Sequence, residues 1–367
     1  DVTLLQNTGG WVFPNVHQQY TIALLTYLSA NPGDSPDIRL HGPFASIDRY
    51  EEGMKKPPVV LPLSVIRLAS DDLSLPLLPT PESSEVWVQM RKSPRLDLNN
   101  LTSWRARPHT DLHATNDKSR MKFSADQPDG FWPVMKGESF DIWENDNGPQ
   151  SYYAWADPGK MVPYLHKKRL STRGKDSPYG EFVDRKWLSD EKTLPCFYPR
   201  IAFRDVSRST DSRTMRAALV PPRMFLTNKG PYLLWPRGDE KDQAFLLGVL
   251  CSIPLDWYAR RNVETNMNYF IFNPFPVPRP ERSHLLWKRT VELSGRLAAT
   301  DKRFKAWAAA VGVECSSMGD TEKEEMIVEL DAIVSLLYGL NEGQVRLIFE
   351  TFHDGPGWIA SYPARLE

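Results

Sequence analysis

A chain of 367 residues, 41% hydrophobic and 25% charged, can bury a substantial core, and it has no eighteen-residue apolar run that could span a bilayer. Three scattered cysteines, Cys196, Cys251 and Cys315, exclude a disulfide framework or metal knuckle and read as buried thiols of a reducing cytoplasm. The formal net charge of −1 hides an uneven distribution: residues 160–223 hold fifteen Lys/Arg against seven Asp/Glu, while 320–367 hold ten acidic residues against three basic ones. A basic face is therefore compatible with a near-neutral pI.

The chain starts at Asp1 without a signal-peptide pattern or an initiator Met, the expectation for a piece of a larger protein. Residues 2–28 alternate as two strands around the turn GGWVFPNV, and a Pro/Gly/Asp-rich loop is expected over 31–58. VVLPLSVIRL reads as an extended apolar segment, and DDLSLPLLPTPESSEVW, with its clustered prolines, as a rigid loop. Residues 93–130 are polar and weakly periodic, which predicts irregular structure. From Phe131 the pattern FWPVMKGESFDIW, ENDNGPQ, SYYAWADP predicts a hairpin, and HKKRLSTRGK a basic loop over 166–175.

Residues 200–235 read as two or three strands, and AFLLGVLCSIPLDWYARR as a helix that Pro254 kinks or restarts. The segment NYFIFNP reads as a strand buried on both faces and stopped by prolines. After Pro280 three helices are expected, the second ended by Gly339 and the third capped by Asn341. The fold class is α+β: a mixed β-rich body over 1–280 followed by a C-terminal helical unit.

Chemistry-bearing motifs are scarce. There is no GxGxxG after a strand, no GxxxxGK[ST], no HExxH and no GxSxG. Asn273-Pro274-Phe275-Pro276 lacks the paired prolines with which an amino-methyltransferase holds a flipped base. His109 and His113 are spaced for one helical face, but Pro108 argues against a helix there and no third metal ligand is evident. An Asp129, Asp190-Glu191-Lys192 nuclease pattern can be assembled, but it is a chance-level match.

The arginines are more informative. Arg200, Arg204, Arg208, Arg213 and Arg216 recur every three to five residues among Ser and Thr, a pattern suited to phosphate oxygens and to guanine O6 and N7. The bland alternative is a solvated loop in which Arg204 and Asp205 neutralise each other. The basic stretch Lys167, Lys168, Arg169, Arg173 and Lys175 would add to a DNA clamp, and Asn266 and Asn268 are expected to face a ligand.

LLGVLCSIPLDWYARRNVETNMNYFIFNPFPVPRP resembles the segment that closes the target-recognition region of large single-chain DNA adenine-N6 methyltransferases of type IIG restriction–modification and BREX- or DISARM-like phage-defence systems. Tyr198-Pro-Arg-Ile-Ala-Phe-Arg-Asp-Val, Arg213-Thr214, Pro133-Val-Met-Lys-Gly137 with Phe140-Asp141, Glu329-Leu-Asp-Ala-Ile-Val and Ile348-Phe-Glu-Thr-Phe352 continue the resemblance in order, from Phe13-Pro14 onwards.

The resemblance implies a division in which an N-terminal domain binds S-adenosylmethionine and methylates adenine while this part recognises duplex DNA. Residues 1–100 would join the catalytic domain, 101–283 would form the recognition domain and 284–367 a helical brace. This chain has no complete Rossmann methyltransferase domain, so no catalytic residue and no cofactor site carry over to it. Its expected partners are double-stranded DNA, the methyltransferase domain of the same protein and other defence subunits, in a bacterial cytoplasm and without a membrane. A rival reading is a protein-interaction or anti-restriction module that docks through the acidic C-terminal helices.

Overall fold

The computed structural model describes residues 1–352 apart from positions 19, 28, 30–32, 34–35, 173, 175–176 and 210. It is α+β, with 40% helix, 17% strand, several small sheets and a C-terminal helical region. No described helix is long and apolar enough to cross a membrane.

The first sheet is built from β1 (Val2–Gln6), β2 (Thr21–Leu25), β3 (Asp37–Phe44) and β4 (Val59–Pro62), in the order β2-β1-β3-β4. β1 and β2 form the expected antiparallel pair around the GGWVFPNV turn, and β1 runs parallel to β3. The stretch expected to be a loop thus supplies β3 and the helix α1 (Ile47–Gly53), which Ser46 caps through the Arg49 N–H. VVLP is extended as expected, but LSVIRLA turns into α2 (Leu63–Ala69), and the proline-rich stretch ends in α3 (Ser83–Arg91). In both cases apolar residues at helical spacing, Ile66 with Ala69 and Val86 with Met90, outweigh the prolines lying just upstream.

Within the segment expected to be irregular lies β5 (Arg105–His109). The predicted pairing is present as β6 (Trp132–Met135) antiparallel to β7 (Ala154–Ala156). The first strand stops at Met135, however, and residues 136–153, with two short 3-10 turns, replace the rest of the expected strand and its tight turn. Helix α4 (Pro158–Ser171) replaces the first part of the expected basic loop, and α5 (Arg185–Ser189) follows. Asp157 caps α4 through the Gly159 N–H, Pro158 occupies the first turn, and Met161, Val162, Leu165 and Arg169 form its buried face.

Residues 200–237 hold four strands: β8 (Arg200–Phe203), β9 (Ala217–Val220), β10 (Phe225–Leu226) and β11 (Tyr232–Arg237). The order β5-β11-β8-β9 makes an antiparallel sheet, and β10 pairs parallel with β6.

Helix α6 (Glu240–Cys251) starts at an Asp239 cap and is buried on nearly every side from Ala244 to Cys251. Ser252 breaks it and caps α7 (Ile253–Arg260), so Pro254 falls in a first turn, where its missing N–H costs nothing. NYFIFNP is not a strand. Tyr269–Phe272 forms a single helical turn, α8, in which the Asn268 carbonyl accepts from the Phe272 N–H at 2.9 Å. Phe272 packs face to face on Phe203 at 4.2 Å, whereas Tyr269 and Phe270 are exposed.

The C-terminal helices are α9 (Leu285–Ala298), α10 (Lys305–Val311), α11 (Asp320–Leu337) and α12 (Glu342–Glu350). Gly339 stops α11 with a left-handed φ of 68°, and Asn341 opens α12 with a reciprocal cap to Gln344. Two acidic residues of α11 meet arginines of α9: Glu329 accepts from Arg289 at 2.6 Å, and Glu322 from Arg296.

One hydrophobic core runs from Val2 and Leu4 through Trp87, Phe245 and Trp257 to Leu330 and Phe352. Within it α6 packs closely against α9 at Gly248. A Cβ on Gly248 would lie 2.2 Å from the Ser294 Oγ and 3.0 Å from a Thr290 methyl. Gly248→Ala should therefore cost about 1–3 kcal/mol in urea unfolding through overpacking, and adding Ser294→Ala should recover part of that loss.

Candidate nucleic-acid interface

The motif Asp256-Trp-Tyr-Ala-Arg-Arg261 is a buried hub in which five of the six side chains tie down another segment. Asp256 is fully buried on α7; its Oδ1 accepts from the main-chain N–H groups of Thr214 (2.9 Å) and Met215 (3.1 Å), and its Oδ2 accepts from the Arg213 Nε. Arg213 also donates to the Cys251 carbonyl at 2.6 Å. One turn on, Arg260 donates to the carbonyls of Ser209 (2.5 Å), Asp211 (2.6 Å) and Ser212 (2.9 Å).

Trp257 donates to the Thr351 hydroxyl at 2.9 Å, Tyr258 stacks on Trp87, and Arg261 donates to the Thr351 carbonyl at 3.1 Å. The loop 207–214 is thereby stapled to α7 from both ends. It also closes on itself: the Ser207 hydroxyl donates to the Thr214 carbonyl, and the Thr214 hydroxyl donates to the Arg208 carbonyl at 2.9 Å.

Beside this loop runs the turn before α8. Val206 bridges antiparallel to Asn266, the Ser207 N–H reaches the Thr265 carbonyl at 3.3 Å, and the Met267 N–H reaches the Asp205 carbonyl at 2.7 Å. Asp205 accepts from Lys229 at 2.9 Å and from the Asn266 amide at 3.3 Å. The Tyr269 hydroxyl is hydrogen-bonded to the Thr110 hydroxyl at 2.8 Å. Arg208 and Asn268 are exposed on this rigid base, together with Phe270 and part of Tyr269.

No family model and no curated protein matches the chain. Among solved structures it shows a distant likeness, over 87% of its length, to the type IIL restriction–modification enzyme MmeI in complex with DNA, at 12% identity and a TM-score of 0.36. The chain spans 41% of that enzyme's length.

The sequence-predicted site residues separate into two groups. Arg208 and Asn268 stand in solvent and Asn266 lies half-buried, on two segments joined by the Val206–Asn266 bridge. The remaining arginines of the strand–loop turn inward. Arg200 is 3% exposed, donates to the Met224 carbonyl at 2.8 Å and lies 3.5 Å from Asp111. Arg204 and Arg216 share Asp141, at 2.9 and 2.5 Å, and burial draws the Arg204 pKa below its ordinary value despite that carboxylate. Arg213 is held by Asp256. Long-range carboxylates and carbonyls occupy these four guanidinium groups, and Arg204 pairs with Asp141 rather than with the neighbouring Asp205 of the bland alternative.

Lys167, Lys168 and Arg169 lie on α4 rather than in a loop. Lys167 is exposed, Lys168 reaches the Asp111 carbonyl at 2.6 Å, and Arg169 is buried against Thr193, the Asp190 carbonyl and the Trp187 ring. Arg173 and Lys175 lie outside the described residues. Sequence reasoning missed Thr110, Lys229, Tyr269 and Phe270. The last two could have been suspected from the polar Asn-Met-Asn lead-in, which favours a cap over a continuous strand.

His109 and His113 share no metal site; among the described residues no group of three or more candidate ligands could hold a metal ion. His109 sits in β5 with its ring edge-on to Tyr179 (5.0 Å) and Tyr232 (5.6 Å), and burial, aided by Lys168, pushes its pKa down to about 3.

Asp256→Ala should remove about 3–5 kcal/mol of stability by taking the carboxylate from the buried Arg213 guanidinium, and should expose the Thr214 and Met215 amides to hydrogen exchange ahead of global unfolding. His109 takes a proton more readily in the unfolded chain, so its contribution is complete above pH 6.5 and is lost as pH falls towards 3. At pH 5 this is about 2 kcal/mol. Thermal unfolding across pH should show that loss in the wild type and not in His109→Gln. Asp111, whose carboxyl burial raises, is common to both proteins and cancels in the difference.

Proposed function

We propose that this chain recognises double-stranded DNA in a sequence-specific manner, as the target-recognition part of an S-adenosylmethionine-dependent adenine-N6 methyltransferase of a bacterial restriction–modification or phage-defence system. The observation that carries the reading is the convergence at Asp256. The resemblance-bearing segments around 204–216 and 256–261 fold into one buried network, and what that network holds still is an exposed loop bearing Arg208 beside Asn266 and Asn268. Arg can pair bidentately with guanine O6 and N7, and Asn with adenine N6 and N7; the exposed rings of Tyr269 and Phe270 offer contact to a thymine methyl or an unstacked base. Such readout gains from a fixed backbone, because a misplaced donor loses its base.

In this reading residues 1–100 connect to the catalytic domain, which holds the cofactor, residues 101–283 form the reading body, and 284–367 brace it in the cytoplasm. Pairing of Glu322 and Glu329 with Arg296 and Arg289 of α9 favours bracing over partner docking for the acidic helix α11.

Selection from a randomised duplex library at low salt, followed by anisotropy titrations, tests the proposal. The chain should enrich a defined site, and Arg208→Ala or Asn268→Ala should flatten the preference at one base pair by about 1–3 kcal/mol. Binding that enriches no sequence, or no duplex binding at low salt, would sink it.

A further inference from the structure

We infer that a second cationic surface, formed by the turn 117–122 and the outer face of α4, grips the phosphate backbone of the same duplex that the 207–214 loop reads. This rests on the DNA reading above and assigns the non-specific part of the grip to residues outside that loop.

On α4, Lys160, Tyr164 and Lys167 follow one another at four- and three-residue spacing, opposite the buried face of Met161, Val162, Leu165 and Arg169. Against this stripe lies the turn that carries Lys118, Arg120 and Lys122, all exposed. Arg120 lies flat over the Tyr164 ring at 3.9 Å, Lys118 is 5.3 Å from Phe123, and Lys122 is 5.8 Å from Phe131. The rings hold long cationic side chains out along the surface, which lowers the entropy lost when they meet a phosphate.

Two carboxylates of this surface, Asp117 and Asp157, are engaged, while Asp126 and Asp129, between Lys122 and Phe131 in sequence, are exposed. Asp117 accepts from Tyr164 at 2.7 Å and from the His113 N–H at 2.8 Å and is 3.7 Å from Arg120, while Asp157 caps α4 and is 3.9 Å from Lys160. The support is stiff, because Lys122 and Trp155 exchange main-chain hydrogen bonds at 2.7 and 3.0 Å.

Placement links this surface to the reading loop. The segment from Thr110 to Asp117 starts on Tyr269, is held at Ala114 by Asn228 at 2.9 Å and ends on Tyr164 of α4. Seven residues span at most roughly 25 Å even when fully extended, which is less than the roughly 34 Å of one turn of B-DNA. The two anchors of this segment, Thr110 at Tyr269 and Asp117 at Tyr164, therefore lie within one duplex turn of each other. The contrast is chemical: Arg200, Arg204, Arg213 and Arg216 are enclosed by carboxylates and carbonyls, whereas Lys118, Lys122, Lys160 and Lys167 are exposed side chains.

The test compares the full chain with Lys122→Gln/Lys160→Gln/Lys167→Gln, and with a control that removes equal charge from the helical unit, Lys288→Gln/Lys302→Gln/Lys305→Gln. Anisotropy is read over a salt series on the selected duplex and on a scrambled one. Each lost phosphate contact removes roughly 0.9 from the slope of log K against log salt. The surface triple should lose roughly two to three units of slope, weaken both duplexes by the same factor and keep the sequence preference, while the control should match the wild type. If the surface triple keeps the wild-type slope while duplex binding persists, or if the control falls equally, this surface is refuted and the DNA reading stands. If the wild type binds no duplex, the reading falls and this inference falls with it.

Discussion

The carboxylate of Asp256 is the constraint on which the packing of the 207–214 segment against α7 depends. An ionised group with no solvent exposure is tolerable only if its oxygens are saturated, and here two main-chain amides and a guanidinium saturate them. Those donors come from a loop some forty residues upstream, so satisfying the charge and positioning the loop are the same event. Arg260 extends the arrangement by taking three carbonyls from the same loop, and Arg261 and Trp257 carry it to residue 351 at the far end of the described chain. Each helix of the α6–α7 pair therefore does a distinct job. α6 is an apolar rod that the C-terminal helices enclose, and α7 is an anchor for irregular backbone.

How far the fold was legible in the sequence follows from where the information sits. Local signals were readable: Asn341 as a cap, Gly339 as a stop, Pro254 as a restart, and the alternation of 2–6 and 21–25 as a pair of strands. Signals masked by composition were misread. The Lys-Lys-Arg run concealed the last turns of α4, although Asp157-Pro158 and the apolar 161, 162 and 165 mark that helix. Phe, Ile and Phe in succession suggested a strand, where one turn ending on Phe272 buries that ring against Phe203 and leaves Tyr269 and Phe270 exposed. Short elements are decided by such tertiary contacts, which no window along the chain contains.

The candidate site was legible as a region and not as residues, for the same reason. Arg204 has an aspartate next to it in sequence, yet it pairs with Asp141, 63 residues away, and Arg213 pairs with an aspartate 43 residues downstream. A planar guanidinium with five donors is well suited to collecting carbonyls and carboxylates in an interior, and this chain uses many of its arginines in that way. An arginine-rich loop in a sequence is thus ambiguous between a nucleic-acid grip and a scaffold. Asp141 and Asp256, more than the arginines, decide between them here.

The same division explains how a nearly neutral protein can present a cationic surface. Much of the acidic complement is placed opposite arginine: Asp141 and Asp256 in the body, and Glu322 and Glu329 between α9 and α11. What remains turned to solvent at the turn 117–122 and α4 is mostly lysine, which has no fork to satisfy and keeps its ammonium hydrated on a flexible stem. A rigid arginine loop and a compliant lysine stripe have different tolerances. If the loop reads base edges as proposed, it must be held to a fraction of an ångström. The proposed phosphate contacts of the stripe tolerate a range of positions, because Coulomb attraction falls off slowly and carries no directional demand. The Asp256 network lies beneath the loop, whereas α4 stands on buried Arg169 and on Lys168 bound to the Asp111 carbonyl.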